Sequence, residues 1–244
     1  TIHDLWLERH PEYSPKFFGQ WLSSRKTKRI ASSVEKIVTV SHFSATEISA
    51  LYGRPIDQVA VVHNGVSNDF YAVDDRLLCQ RTLSSLGIGG RPYFLFVGGA
   101  DPRKNHGALL EAFKLFSREL NGYHVVLVGD SVHRFGDMLA TARRLGIESS
   151  VQCLGRVSQE QMRVLYSCAQ AFVFPSLYEG FGMPILEAMA CETPVITSNR
   201  SALPEVAGEA ALLIDPENPA EIGKAMCELS NAGSRRNALI QEGT

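Results

Sequence analysis

The sequence predicts an α/β protein with parallel sheets: a complete doubly wound domain in the C-terminal part, preceded by part of a similar domain. Two alternations of strand and helix patterns predict this class, one over residues 1–65 and a longer one over residues 93–231. Most of the strand patterns are short, continuous apolar runs. Such runs are typical of strands that are covered on both faces, as they are in parallel sheets.

Composition is that of an ordinary folded protein. The 244 residues are 45% hydrophobic and 20% charged, with a net charge of −2, so no basic excess suggests a nucleic-acid partner. No signal peptide or bilayer-spanning run is evident. Five cysteines without a CxxC pair suggest reduced core residues, which fits a cytoplasmic protein and offers no metal-ligand spacing.

Residues 1–66 are predicted to form the C-terminal part of a domain whose beginning lies outside this chain, because Thr1 opens directly into a strand pattern. Ser41 or Ser44 is expected to cap a helix through Leu51 that ends at Gly53. The other predicted elements are strands at TIHDLW, EKIVTVS and QVAVVHNG and a helix over residues 17–32.

Residues 67–90 are expected to link the domains, with a short helix near residues 77–86. Residues 91–244 are predicted to form the doubly wound domain. Its six strands are expected at residues 93–99, 124–130, 151–155, 169–175, 194–198 and 211–215. Its helices are expected at residues 106–120, 137–145, 158–168, 184–190 and 219–231, with a turn through Pro204.

The stretch FVFPSLYEGFGMPILEAMA predicts a buried strand, a glycine-containing loop and a helix. Gly180 and Gly182 permit positive φ and leave the backbone open to a ligand. Pro184 suits the first turn of a helix, where a missing N–H is tolerated. A helix that begins directly after such a loop directs unpaired N–H groups forward, which favours phosphate binding.

A second candidate binding segment follows the strand that ends at Gly98 and Gly99. Arg103 and Lys104 stand at the start of the next helix. Arginine binds phosphate oxygens in a bidentate way, and lysine supplies a mobile positive charge. Together they are candidates for holding a diphosphate and stabilising the charge that grows on it as a bond breaks. The alternative is a solvated basic pair.

Two glutamates flank the candidate phosphate site. Glu179 and Glu187 could form an acid/base pair of the kind found in hydrolases. Next to a phosphate site, Glu187 suits hydrogen bonds to ribose hydroxyls better, although a surface glutamate is also possible. His3 lies at the end of a predicted strand, where functional side chains are expected; a lone histidine is more often structural.

These segments resemble the retaining glycosyltransferases of the GT-B fold, in the large family numbered four. The resemblance covers nearly the whole chain and rests on VSHFSATEI, VVHNGV, FLFVGGADPRKNHGALLEAF, VLVGD, LGRVS, FVFPSLYEGFGMPILEAMACETPVITS and LPEVAGEAALLIDP. It implies two Rossmann-like domains, of which the C-terminal one mainly binds the nucleotide-sugar donor. The glycine-rich loop that the family carries early in the first domain is missing, which implies that most of the acceptor side lies outside this chain.

The resemblance also implies roles for the candidate residues. Arg103 and Lys104 would bind the donor diphosphate, near Gly98 and Gly99, and Glu187 would bind the ribose.

Glu179 and the backbone of Gly180, Phe181 and Gly182 would contact the transferred sugar and the phosphate. The backbone near Arg156 and Val157 would contact the base, and His3 would reach toward the reaction centre.

The implied reaction is retaining transfer without a metal ion or another cofactor, and no DxD-like carboxylate pair is evident at a strand end. The serine of SALPEV stands where many relatives have glycine. Relatives with this serine often look like mannosyltransferases, so the resemblance implies GDP-mannose rather than UDP-glucose as the donor. The acceptor would be a saccharide or a lipid-linked saccharide, with at most peripheral membrane contact. The alternatives are an epimerase or phosphorylase of the same fold, a non-catalytic nucleotide-sugar-binding module and, more distantly, a dehydrogenase.

Overall fold

The computed structural model describes residues 1–10, 27–129, 136–231 and 233–243, which form two compact units. The first unit contains Thr1–Gly65, Tyr178–Gly182 and Ser201–Val206, and the second contains Val66–Leu177, Met183–Arg200 and Ala207–Thr244. The domain boundaries given above, at residues 66 and 90, stay a prediction.

The strands and helices alternate along the chain. The strands are β1 Ile37–Thr39, β2 Val59–Val61, β3 Tyr93–Val97, β4 His124–Val128, β5 Val151–Leu154, β6 Ala171–Phe174, β7 Val195–Ser198 and β8 Ala211–Ile214. The α-helices are α1 Trp6–Arg9, α2 His42–Tyr52, α3 Arg76–Ser85, α4 His106–Leu115, α5 Gly136–Leu145, α6 Gln159–Ser167, α7 Met183–Ala190, α8 Leu203–Ala207, α9 Pro219–Asn231 and α10 Gly233–Gly243. Residues 27–33 are also helical, and short 3-10 turns cover Ile56–Gln58, Pro102–Lys104 and Glu148–Ser150.

The second unit is built on a six-stranded parallel sheet with the order β5-β4-β3-β6-β7-β8. All six predicted strands are confirmed. The chain begins in the middle at β3, proceeds outward to β5 and returns to β6 beside β3, so the strand order reverses between β3 and β6. In doubly wound sheets, ligands bind at this reversal, beyond the carboxyl ends of the strands.

Helix packing covers the sheet of the second unit. Ser158 and Gln161 form the predicted capping box at the start of α6. Helix α4 ends at Leu115, five residues before the predicted end. The ring of Phe116 occupies the space where a Cβ of Gly223 in α9 would lie, so the residue after α4 packs closely against that helix.

The first unit has a smaller parallel sheet, in which β1 pairs with β2 and Ile2 adds a single bridge to Thr39. Helix α2 begins as expected, because the Ser41 side chain accepts a hydrogen bond from the N–H of Ser44. Gly53, with φ 65°, ends the helix in the left-handed conformation that glycine adopts without strain.

Two sequence expectations are wrong. The opening TIHDLW forms only the bridge at Ile2, because the Asp4 carboxylate accepts a hydrogen bond from the N–H of Trp6 and helix α1 begins there. The turn through Pro204 is the short helix α8. Of the helix predicted over residues 17–32, residues 17–26 lie outside the described ranges. No described helix has the length and apolar character needed to cross a bilayer.

Candidate functional site

The loops after β3 and β6 meet at the carboxyl edge of the sheet in the second unit. The N–H of Leu177, just after β6, donates a 2.7 Å hydrogen bond to the carbonyl of Arg103. The ammonium group of Lys104 lies 4.7 Å from the ring centroid of Phe174, the last residue of β6, within cation–π range. The structure therefore places Arg103 and Lys104 beside the end of β6, the strand that precedes helix α7.

Asp101 sets the conformation of the basic loop. Its carboxylate accepts hydrogen bonds from the backbone N–H of Arg103 at 3.0 Å and from Arg103 Nε at 2.8 Å. A hydrogen-bonded arginine–carboxylate pair restricts the guanidinium to few orientations. Asp101 was missed in the sequence because a single aspartate before PRK has no distinctive pattern.

Gly98, which follows β3, lies against the loop after β4. A Cβ on Gly98 would lie 3.4 Å from the Phe96 ring and 3.5 Å from Lys104 Cδ. A Cβ on Gly129, after β4, would collide with the carbonyl of Gly98. Glycine is therefore required at position 129 by the approach of the two loops, whereas a Cβ on Gly98 would make only ordinary van der Waals contacts; Gly99 is half-buried.

Glu187, in helix α7, accepts a 3.0 Å hydrogen bond from the hydroxyl of Tyr166, which is completely buried. Burial raises the pKa of the Glu187 carboxyl group above its ordinary value, and the hydrogen bond from Tyr166 opposes this increase. Tyr166 therefore holds the carboxylate in place and helps to keep it charged. It is 21 residues away in the sequence, so no local pattern could reveal it.

Two buried polar atoms near these loops have no hydrogen-bond partner among the described residues: the hydroxyl of Ser176 and Nδ1 of His106. Ser176 precedes Leu177, whose N–H is bonded to the basic loop. His106 is the first residue of α4, and burial lowers its pKa. Buried polar groups normally find partners, so an oxygen-rich ligand bound beside Ser176 would satisfy the hydroxyl group.

The strand, loop and helix predicted around Phe172 are confirmed, since β6 is followed by α7 with Pro184 in its first turn. Gly182 has φ 115° and directly precedes the helix. The first N–H groups of α7 have no partner within the helix, which makes its N-terminus suitable for an anion.

Gly180 differs from expectation because its φ is not positive and because other atoms of the chain occupy the space where its side chain would lie. Within the first unit, a Cβ on Gly180 would collide with the carbonyl of His3. The carbonyl of Gly180 accepts hydrogen bonds from the hydroxyl groups of Ser41 at 2.7 Å and Ser44 at 3.1 Å. The absent side chain of Gly180 thus permits contact with the N-terminal segment of the chain.

Glu179 is 7% exposed, and its N–H donates a 3.0 Å hydrogen bond to the hydroxyl of Ser201. Ser201 has φ 56°, a conformation that is unusual for a residue other than glycine. Ser201, which stands where many relatives have glycine, therefore keeps a backbone conformation typical of glycine. Its hydroxyl accepts the hydrogen bond from the N–H of Glu179.

Arg156 and Val157 follow β5, the edge strand of the sheet, with Arg156 exposed and Val157 half-buried. The predicted site residues fall into two groups, which the structure places in different units. The second unit contains Gly98, Gly99, Arg103, Lys104, Arg156, Val157 and Glu187, and the first contains His3, Glu179, Gly180, Phe181 and Gly182.

Two family models match this chain. Residues 82–244 match glycosyl transferases group 1, and residues 1–70 match glycosyltransferase family 4.

The chain is 36% identical over 219 residues to O-antigen chain mannosyltransferase B of Escherichia coli, a match that covers 89% of this chain and 57% of the relative. It is 28% identical over 220 residues to O-antigen chain mannosyltransferase RfbU of Salmonella typhimurium, covering 89% of this chain and 56% of the relative. The chain thus spans a little over half the length of these relatives.

Solved structures of glycosyltransferases share the fold. Sucrose-phosphate synthase from Thermosynechococcus elongatus matches with a TM-score of 0.82 at 23% identity, covering 99% of this chain and 60% of that one. HepE from Anabaena, in a complex with UDP-glucose, matches with a TM-score of 0.78 at 20% identity, covering 90% of this chain and 60% of that one. The parallel α/β architecture is that of GT-B glycosyltransferases, as expected. With its C-terminal two thirds matching the family model, the chain belongs to the glycosyl transferases group 1 family.

Proposed function

We propose that this chain provides the donor-binding part of a retaining glycosyltransferase that moves mannose from GDP-mannose to a saccharide or lipid-linked acceptor. The observation that carries the proposal is the position of Arg103 and Lys104 at the carboxyl edge of β3, beside the end of β6. Ligands of doubly wound sheets bind at that edge, and two cations there suit a diphosphate.

The second unit offers one group for each part of a nucleoside diphosphate. Arg103, held by Asp101, and Lys104 bind the two phosphates. Glu187 accepts hydrogen bonds from the ribose hydroxyls while Tyr166 keeps its carboxylate oriented. The backbone after β5, near Arg156, contacts the base.

In the proposed reaction, the bond between the sugar C1 and the β-phosphate oxygen breaks as the acceptor hydroxyl forms a bond to C1 from the same face. The hydroxyl proton passes to the departing phosphate, so atoms and charge balance without a further base. Arg103 and Lys104 stabilise the negative charge that grows on the leaving diphosphate. No cofactor or metal ion takes part at C1.

The remaining contacts are assigned to the sugar. By resemblance to the family, Glu179 and the backbone from Gly180 to Gly182 are assigned to the transferred mannose and its phosphate, and His3 is assigned to the reaction centre. Support for an ordered loop comes from the hydrogen bonds of Glu179 and Gly180 to serine hydroxyls.

The choice of mannose rests on similarity. O-antigen chain mannosyltransferase B is 36% identical to this chain, and further relatives are also mannosyltransferases. The UDP-glucose complex belongs to HepE, which is only 20% identical. Mannose is therefore preferred to glucose, whereas the preference for guanine over uracil rests on the serine of SALPEV, which the chain shares with relatives that look like users of GDP-mannose.

Calorimetric titration of this chain with GDP, GDP-mannose, UDP and UDP-glucose tests the donor assignment. We expect the two guanosine ligands to bind at least about tenfold more tightly, since one or two additional hydrogen bonds to the base provide that difference. Tighter binding of the uridine ligands would overturn the GDP-mannose assignment.

The reaction itself is tested in a chain extended to the length of the relatives, by supplying GDP-mannose with a mannose-containing oligosaccharide acceptor. Retaining transfer predicts an α-linked product, identified by nuclear magnetic resonance. An inverted linkage contradicts the mechanism. An altered free sugar in the absence of acceptor indicates an epimerase instead, and binding without turnover indicates a non-catalytic module.

A further inference from the structure

A cluster of two imidazoles and one carboxylate lies in the first unit, among residues that the proposed reaction does not use. His42 is the first residue of α2, His63 follows β2, and Glu205 lies in the short helix α8. One ligand-capable atom from each of the three lies within 4.8 Å of the others. Nε2 of His63 is 2.8 Å from Oε1 of Glu205, and the two imidazole rings pack edge to face with their centroids 5.8 Å apart.

The carboxylate of Glu205 is already oriented by the backbone. Its Oε1 accepts a 2.8 Å hydrogen bond from the N–H of His42, and its Oε2 accepts a 3.2 Å hydrogen bond from the N–H of Phe43. Each carboxylate oxygen has two lone pairs, and those of Oε1 are taken by the N–H of His42 and by Nε2 of His63. Oε2 therefore keeps one lone pair for an ion, and ligation through Nε2 of His63 would replace its contact with Oε1. Metal sites commonly use hydrogen bonds of this kind to fix the orientation of a ligating group.

The three groups are a recognised donor set. Two imidazole nitrogens and one carboxylate oxygen form a three-ligand Zn²⁺ site, in which water takes the fourth position. Imidazole ligands favour zinc, copper and nickel over magnesium or calcium. Both imidazoles also line a cavity of about 410 Å³, which leaves space for that water on the solvent side.

Electrostatics at this position permit a cation. The N-terminus of α2 carries roughly half a positive charge, which is unfavourable for a metal ion. Glu205 carries a full negative charge and lies within hydrogen-bond distance of that terminus. The carboxylate therefore outweighs the helix end, and both imidazoles ligate in their neutral form.

We propose that His42, His63 and Glu205 form a binding site for a divalent transition-metal ion, with Zn²⁺ as the best match. The ion would join three segments that are distant in the sequence: the start of α2, the end of β2 and residues 201–206. None of the three ligands is assigned a part in the transfer reaction. Because His63 also contacts the ring of Phe181, with the centroids 5.9 Å apart, the ion would also stabilise the loop over residues 178–182.

Metal titration of this chain tests the proposal, first with Co²⁺ as a coloured probe and then with Zn²⁺ as its competitor. We expect one bound ion with the visible spectrum of nitrogen and oxygen ligands. The spectrum is needed because the five free cysteines are alternative zinc ligands, and thiolate ligation would give an intense charge-transfer band.

Three variants, His42→Ala, His63→Ala and Glu205→Gln, remove one ligand each. Loss of an outer-shell partner weakens metal binding by roughly 10–100-fold, so loss of a ligand should weaken it at least as much. Glu205→Gln keeps a carbonyl oxygen that can accept a helix N–H, and His63 has a side chain that is 52% exposed, so both variants should fold. His124→Ala, a histidine of β4 in the second unit, is the matched control and should bind metal normally.

Thermal unfolding provides an independent measurement. An ion that binds only the folded chain raises the melting temperature as its concentration increases. We expect Zn²⁺ to raise it in the unsubstituted chain and in His124→Ala, but not in His63→Ala. Failure of the unsubstituted chain to bind Zn²⁺, a thiolate spectrum, or unchanged affinity in His63→Ala and Glu205→Gln would each overturn the proposal.

Discussion

Single residues carry the proposed nucleotide contacts, and several of them depend on a partner that is distant in the sequence. Glu187 is partly buried in helix α7 and accepts a hydrogen bond from the hydroxyl of Tyr166. Arg103 donates a hydrogen bond from Nε to the carboxylate of Asp101. The partly buried carboxylate of Glu187 lowers the free energy of unfolding at neutral pH, because burial penalises its charged form. A binding role accounts for a carboxylate at this position.

Replacing Glu187 with glutamine should make the protein more stable at neutral pH. Burial raises the folded-state pKa of Glu187 above its ordinary 4.5. The stabilisation from protonated Glu187 is therefore fully present below about pH 4.5 and is lost as the pH rises through the folded-state pKa. Urea unfolding of both proteins should show an advantage for Glu187→Gln that shrinks as the pH falls toward 4.5.

The same substitution should weaken GDP binding by about tenfold, since hydrogen bonds to a charged group are worth about 1.5–3 kcal/mol and neutral ones about 1 kcal/mol. A variant that is less stable at neutral pH, or that binds GDP normally, would contradict the assigned role of Glu187.

At the scale of elements, the missing side chain of Gly129 allows the loops after β3 and β4 to touch, and one turn after α7 adopts a conformation that favours glycine. A Cβ on Gly129 would collide with the carbonyl of Gly98, whereas a Cβ on Gly107 in α4 would meet nothing within 4 Å. Glu192, just beyond α7, has φ 55° and is exposed. Gly129 therefore tests a steric requirement for glycine, and Glu192 tests a backbone preference for glycine.

Gly129→Ala should destabilise the protein by about 1–3 kcal/mol, the usual cost of inserting a methyl group into a packed region. Gly107→Ala, in the first turn of α4, is the control and should not lower the free energy of unfolding, because a Cβ there meets nothing within 4 Å. Denaturant unfolding measures both. Equal effects of the two substitutions would show that the two loops do not approach as closely as described.

Glu192→Gly should increase the free energy of unfolding by about 0.5 kcal/mol. The left-handed conformation costs a residue with a side chain roughly 1–2 kcal/mol, and glycine in turn costs about 0.5–1 kcal/mol of chain entropy. Glu192→Ala keeps the strain and should show no such gain, so a similar gain in both variants would rule out this explanation.

For the whole molecule, the sequence predicts the large sheet well because buried parallel strands are continuous apolar runs, such as FVF in β6 and VVLV in β4. It makes Lys104 and Glu187 candidates for the site because both lie next to glycine-containing loops, and their roles stay predictions. Tyr166 and Ser176 were missed since their importance depends on contacts distant in the chain. The same limit applies to Tyr178–Gly182 and Ser201–Val206, which group with residues 1–65 through contacts that no local pattern contains.

The central claim is that the carboxyl edge of β3 and β6 binds a nucleoside diphosphate through its basic loop. Calorimetry with GDP tests it most directly, comparing the unsubstituted chain with Lys104→Met and with Lys114→Met, an exposed lysine of α4. Because a charge-assisted hydrogen bond is worth about 1.5–3 kcal/mol, we predict at least about tenfold weaker binding for Lys104→Met and unchanged binding for Lys114→Met. Equal GDP affinity in all three proteins, or no GDP binding by the unsubstituted chain, would contradict the claim.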